Sequence, residues 1–410
     1  MTVIALINPE SDPHLIADCL ITSDGKDGRE SKSIWVPSLG VVQTDWRDID
    51  GPFHLVRMAR KTIVLPNGGG MLAFAGDCRA AFEFWAALSD AINTKSYYDP
   101  SALIDREMLD RVLIEMGTKA KYFHILGVLL GGDGQKHAFI HRSEMVVQTE
   151  NFGTCYLAGS GSKLLQTKIL QEDVRFTEIG EWPWDKISPT EELAESLCSS
   201  MLYYESDASN GRRPDTPIHE RFGGFYEWYG FKFAGVKPMP SRLDINLYWE
   251  NDKLYLTRLH LSETYMSGNE SVSKFKNPQP LLNVLTFCCR SVEVDIADLV
   301  NLDLKFLFKK ADGLLIERFV NLYDTASAAE DSRISGCANA DALEEHFGTP
   351  FVVNNVRLIV TVNGKGVIKG VRKSESFKQP AIVHSKNGIV SVALDKNVTL
   401  IIADILYRNF

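Results

Sequence analysis

Thr2 stands directly before the apolar run Val3–Ile7 and offers the most specific chemistry in the chain. A threonine hydroxyl is a weak nucleophile and needs a base beside it. A free α-amino group on the same residue can serve, since its unperturbed pKa lies near ~8. That arrangement requires Thr2 to be the first residue of the mature chain. Met1 stands before it, and a small second residue is what removal of an initiator methionine generally needs.

Four further residues fit around such a nucleophile. Asp18 lies in the apolar run LIADCLIT, where a carboxylate needs a partner. If residues 3–7 and 15–22 pair as strands across the polar turn NPESDPH, Asp18 returns beside the amino terminus. Lys61 opens the run KTIVL. An ammonium near the amine disfavours its protonation and keeps it usable as a base near neutral pH. Asp18 would in turn hold the lysine. Gly76, in LAFAGD, closes a strand before a helix, where a backbone N–H suits an oxyanion. Ser160, in Gly159-Ser160-Gly161, sits at a second strand-to-helix junction.

These residues need strands and helices to position them. Residues 24–33 read as a polar loop, and 34–56 carry no clear period. Lys61–Leu65 reads as a strand, Asn67–Gly70 as a turn and Met71–Ala75 as the return strand. From Cys78, Ala81, Phe82, Trp85 and Leu88 recur at helical spacing, and 100–117 is a second helix. FHILGVLLGG and HAFIHRSEMVVQ read as a strand pair, and His137 and His141 fall on its solvated face. TCYLA is a strand before a helix. SPTEELAESLCSSMLYYES opens with a capping pattern from Ser188. FGGFYEWYGFKF is a strand whose aromatic residues belong to core and interface.

Two layers of sheet between layers of helix would bury these apolar faces. Beyond about 240 the chain is strand-rich again. Residues 281–308 have mixed, partly helical character. The tail 350–410 is mostly β, with Asn-Gly turns at 363–364 and 387–388.

The ordered set resembles the proteasome β-subunit and bacterial HslV branch of the N-terminal nucleophile (Ntn) hydrolases. The matching pieces are Thr2, Ala17-Asp18-Cys19, Lys61-Thr62, Phe74-Ala75-Gly76 followed by AAFEFWAAL, and Gly159-Ser160-Gly161. They cover roughly residues 2–235. The resemblance implies an α+β fold: a four-layer αββα sandwich over 1–240, with an insertion at about 24–56. Residues 241–410 form an extra carboxy-terminal α+β region without a counterpart in compact members.

The resemblance also implies roles. Thr2 is the nucleophile and its amine the proton acceptor. Asp18 and Lys61 tune the amine, the Gly76 N–H binds the oxyanion, and Ser160 places the amine or its water. Asp207 and Ser209, in ESDASNG, are the nearest match to a later D-x-x-S-G setting, one residue too close together. A slip of one residue would put Met1 at the nucleophile's position and leave a dead enzyme; the matched interval to Asp18 favours Thr2.

The implied reaction is hydrolysis of a peptide or amide through an acyl-threonine ester, without a metal or organic cofactor. The implied assembly is a homo-oligomer, with a regulatory or ATPase partner. Two alternatives stand beside it: a catalytically silent scaffold or sensor subunit, and a small-molecule amidase or acylase on the same fold.

Composition sets outer bounds. A net charge of -9 over 410 residues argues against general nucleic-acid binding. No apolar run reaches the ~18–20 residues that span a bilayer. The first residues lack the basic start of a secretory signal, so a cytoplasmic protein is expected. The seven cysteines show no regular spacing and read as reduced thiols. Gly68-Gly69-Gly70 is a turn, lacking the Lys-Ser/Thr end of a phosphate loop.

Overall fold

The computed structural model describes residues 2–25, 31–48, 50–131, 134–179, 187–209, 217–232, 235–266, 280–288, 291–309, 315–319, 335–337 and 340–409. The fold is mixed α and β, with several antiparallel sheets.

In chain order the first part runs β1 (Ile4–Ile7), β2 (His14–Asp18), β3 (Leu20–Asp24), β4 (Ser33–Val36), β5 (Gly40–Gln43), β6 (Asp45–Asp48), β7 (Gly51–Met58), β8 (Thr62–Val64) and β9 (Gly70–Gly76). Helices α1 (Cys78–Tyr98) and α2 (Arg106–Met116) follow. Then come β10 (Phe123–Leu130), β11 (Lys136–His141), β12 (Met145–Gln148), β13 (Thr154–Ala158), α3 (Ser162–Ile179), α4 (Pro189–Ser209), β14 (Tyr226–Lys232) and β15 (Gly235–Pro238).

Six strands form one sheet in the order β12-β13-β1-β2-β14-β15, and four form another, β11-β10-β9-β8. β1 is buried on both faces, so it reads as an unbroken apolar run. Ile4 and Leu6 join Leu15, Met71, Ala73, Leu126 and Val128 in a core between the two sheets. Val3, Ala5 and Ile7 face the other way, toward Leu165 and Ile169 of α3 and Leu193, Leu197 and Met201 of α4. A third core sets Leu72 and Phe74 of β9 against Phe84 and Leu88 of α1 and Leu109 of α2.

Several expectations are corrected here. The run 15–22 is two strands, because Asp18 turns its carboxylate onto the Leu20 N–H (3.3 Å) and β3 leaves for a separate three-stranded sheet, β3-β7-β6. HAFIHRSEMVVQ splits at Arg142, where φ is 59°, and β12 crosses to the six-stranded sheet. On α1 the buried face is Ala80, Ala81, Phe84, Leu88 and Ile92, with Phe82 37% exposed. Residues 34–56, without a readable period, form β4 to β7, a hairpin and a ribbon.

After β15 come β16 (Arg242–Glu250), β17 (Lys253–Met266) and β18 (Pro280–Cys288). They join a larger sheet in which Asn355–Val362 runs parallel to β16. The stretch 281–308, expected to be mixed, opens with strand β18, whose apolar residues pack on both sheet faces, and carries a short helix at Ile296–Val300. The tail has both Asn-Gly turns, with φ of 52° and 75° at Asn363-Gly364 and 53° and 72° at Asn387-Gly388. It ends in a helix, Lys396–Asn409, whose Val398, Ile402 and Ile405 pack into the second part's core. Among the described residues no helix is long and apolar enough to cross a membrane.

Candidate active site

The strand order brings three of the expected residues together. β1 pairs with β2 antiparallel, Ile4 opposite Ala17, so Thr2 and Asp18 meet at one sheet end. β3 and β7 form a ribbon closed at its base by Ala59 N–H to the Cys19 carbonyl, 2.8 Å. That closure sets Lys61, just before β8, beside Asp18.

The Lys61 Nζ donates to Thr2 Oγ1 at 2.7 Å and to Asp18 Oδ1 at 2.8 Å. Asp18 Oδ1 also accepts the Val3 N–H (2.9 Å), and Oδ2 accepts those of Leu20 (3.3 Å) and Gly223 (2.9 Å). An ionised carboxylate offers about four acceptor positions, and these four bonds occupy them. Burying an ion pair is costly unless its remaining groups are satisfied. Here Thr2, Asp18 and Lys61 are 1%, 0% and 1% exposed. Chemically, the array places an ammonium group against the hydroxyl oxygen, a position suited to stabilising negative charge on that oxygen.

Gly159 shows why the second junction is glycine-rich. A Cβ there would lie 1.9 Å from the Thr2 carbonyl oxygen, and its φ is +96°. A Cβ on Gly161 would lie 2.8 Å from Val3 Cβ. The turn thus packs directly on the Thr2–Val3 backbone. Ser160, between them, has a buried hydroxyl with no hydrogen-bond partner among the described residues. Glu144 holds the turn by accepting the Gly159 N–H at 3.0 Å. His124 lies 3.2 Å from Glu144, and this hydrogen bond raises the imidazole's pKa.

Gly76 ends β9 with φ +96°, opposite Phe123. Asp77 then caps α1 by accepting the N–H groups of Arg79 and Ala80. Two residues before Gly76, the Phe74 N–H donates to the Lys61 carbonyl at 3.1 Å, so this junction adjoins the Lys61 segment. Asp207 and Ser209 fall in the last turn of α4, and their side chains lie outside the described residues.

Several neighbours escaped the sequence reading. Arg60 points away from Lys61 into a second buried pair, with Nε 2.8 Å from Glu227 Oε2. Burial alone would lower the Arg60 pKa, but Glu227 beside it raises it overall. Thr62 and Tyr229 complete Glu227's hydrogen bonds. The signal was Glu227 itself, a carboxylate inside the aromatic run FYEWYGF. Gly223 and Gly224, expected within a strand, lie before β14 with φ of 124° and 81°. On α4, Glu205 is wholly buried and accepts the Gly224 N–H at 2.9 Å, plus the hydroxyls of Ser38 and Tyr226. Burial pushes its carboxyl up to about 7, against the opposing effect of these hydrogen bonds. Among the described residues no group of three or more His, Cys, Asp or Glu could hold a metal ion.

No family model and no curated protein matches the chain. Among solved structures, it is similar to eukaryotic HslV from Trypanosoma brucei, with a TM-score of 0.27 and 12% sequence identity, over 58% of this chain and 99% of that one.

Proposed function

We propose that this chain is an N-terminal threonine hydrolase of the Ntn type that cleaves peptide or amide bonds. The observation that carries the reading is the Lys61 Nζ, 2.7 Å from Thr2 Oγ1 and 2.8 Å from Asp18 Oδ1. With Met1 removed, the Thr2 amine takes the hydroxyl proton as Oγ1 attacks the substrate carbonyl. The Lys61 charge disfavours protonation of that amine and stabilises the developing alkoxide. The Gly76 N–H receives the oxyanion, and Ser160 places the amine or its water. The leaving amine takes the proton, and water then repeats the cycle on the acyl-threonine ester.

The reading includes a four-layer αββα sandwich over residues 1–240 and an extra carboxy-terminal α+β region over 241–410. The three cores of the first part support it. A cytoplasmic homo-oligomer with a regulatory or ATPase partner belongs to the same proposal, by the resemblance alone. Asp207 and Ser209 remain proposed contributors.

A second reading is a catalytically silent scaffold. Thr2 is only 1% exposed in the chain that begins at Met1, and the scaffold reading is the one that keeps Met1. Intact mass and substitution separate the two. The enzyme reading expects a chain beginning at Thr2, with amide hydrolysis abolished in Thr2→Ala. Retained Met1, or no hydrolysis by a chain beginning at Thr2, favours the scaffold; hydrolysis unchanged in Thr2→Ala removes Thr2 as the nucleophile.

A further inference from the structure

We propose that the ribbon β3-β7-β6 and the hairpin β4-β5, which carry the expected insertion, set the Thr2 site by gripping the segment His219–Gly224 that supplies a backbone hydrogen bond to Asp18. The inference rests on the hydrolase reading only for its consequence on reactivity. The physical coupling stands on contacts throughout.

The grip has two ends. At one, Arg221 donates to Asp48 of β6, through Nη2 at 3.1 Å and through Nε, and Nη1 reaches Asp24 of β3 at 2.8 Å. His219 in the same segment stacks edge-on to Trp46, with ring centroids 5.3 Å apart. At the other, the Ser38 hydroxyl donates to Glu205, whose carboxylate also takes the Gly224 N–H. Val36 and Met58 close over Gly224; a Cβ there would meet Met58 Cε at 2.4 Å. Between these anchors lies Gly223, whose N–H donates to Asp18 Oδ2 at 2.9 Å.

Both glycines are required by the path. Their φ values are +124° and +81°, and a Cβ on Gly223 would lie 2.3 Å from Glu205 Oε1. Successive amides therefore point at two different buried carboxylates, Asp18 and Glu205. The second is held by the insertion. If the insertion lifts, Glu205 loses a donor, the turn is freed, and Asp18 loses one of its bonds. An under-satisfied buried carboxylate then draws Lys61 toward itself and away from Thr2. The Ser38 carbonyl also accepts from the Arg258 side-chain Nε (2.9 Å), which links β17 to the same point. Ser38, Glu205 and Asp48 act through other groups, as positioning residues.

The test uses the full chain with Thr2 as first residue, and the variants Ser38→Ala and Asp48→Asn. Hydrogen exchange at Gly223 is read by mass spectrometry, with β1 as internal control. Thr2 modification is read with an epoxyketone probe. The coupling expects Gly223 exchange to quicken about 10-fold in either variant, with β1 unchanged. It also expects the probe's maximal rate of modification to fall about 10-fold or more, with its binding constant unchanged. Unaltered Gly223 exchange in both variants overturns the coupling whether or not Thr2 reacts. If the wild-type chain beginning at Thr2 fails to react at all, the hydrolase reading falls, and Gly223 exchange still decides the coupling. If Asp48→Asn unfolds, Ser38→Ala decides alone.

Discussion

The Lys61 ammonium sits between the Thr2 hydroxyl and the Asp18 carboxylate, within hydrogen-bond distance of both and shielded from water. Three strand ends are needed to build that contact, from β1, β2 and the start of β8.

The first expectation concerns this pair's energetics. Removing one partner of a buried ion pair leaves an uncompensated charge, at about 3–5 kcal/mol. Lys61→Met alone should therefore destabilise strongly. Asp18→Asn combined with Lys61→Met should cost clearly less than the two single changes summed. Urea midpoints of the four proteins check this. Additive costs would mean that the two groups do not interact as placed.

The Gly159 turn permits a contrast. Gly159→Ala combines a clash with the Thr2 carbonyl and a left-handed backbone, so a loss of about 3 kcal/mol is expected. Gly364→Ala has φ +75° but nothing within 4 Å of the new Cβ. It should cost about 1 kcal/mol, the backbone strain alone. Thermal or urea unfolding reads both. Equal costs would contradict the packing of the Gly159 turn on Thr2.

Glu205 gives stability an unusual pH dependence. Its folded-state carboxyl titrates near 7 because of burial, against 4.5 ordinarily. Between these values the folded chain binds the extra proton. The stability contributed by this group is therefore present below pH 4.5 and lost as pH rises through 7. The whole effect is on the order of 3 kcal/mol. His260 acts oppositely, since burial holds it down to about 3 from 6.5, and its contribution is lost as pH falls through that range. The wild-type profile mixes the two. The difference between wild type and Glu205→Gln isolates Glu205 and should decline from pH 4.5 to 7. A flat difference would refute the assignment.

Much of the site was legible because its residues violate local expectation. Asp18 is a charge inside an apolar run, and Gly159-Ser160-Gly161 interrupts a strand-to-helix passage. The Ser188 cap of α4 was also readable; its hydroxyl accepts the Glu191 N–H at 3.0 Å. Residues 34–56 were not, because β4 to β7 are short and their partners are set by non-local pairing. Gly223 was hidden for a related reason. Its importance comes from a carboxylate 205 positions away in sequence. Within 281–308 strand and helix were not told apart residue by residue, because a short apolar run fits a buried strand and a buried helix equally well.

The most direct test of the catalytic claim is intact-mass analysis after incubation with an epoxyketone-type probe, which needs a free amine and a hydroxyl on one residue. The chain must first be confirmed to begin at Thr2. The expected result is one probe mass added, mapped to Thr2, and absent from Thr2→Ala and Lys61→Met. A chain that begins at Thr2, is folded, and gains no mass would contradict a nucleophilic role for Thr2.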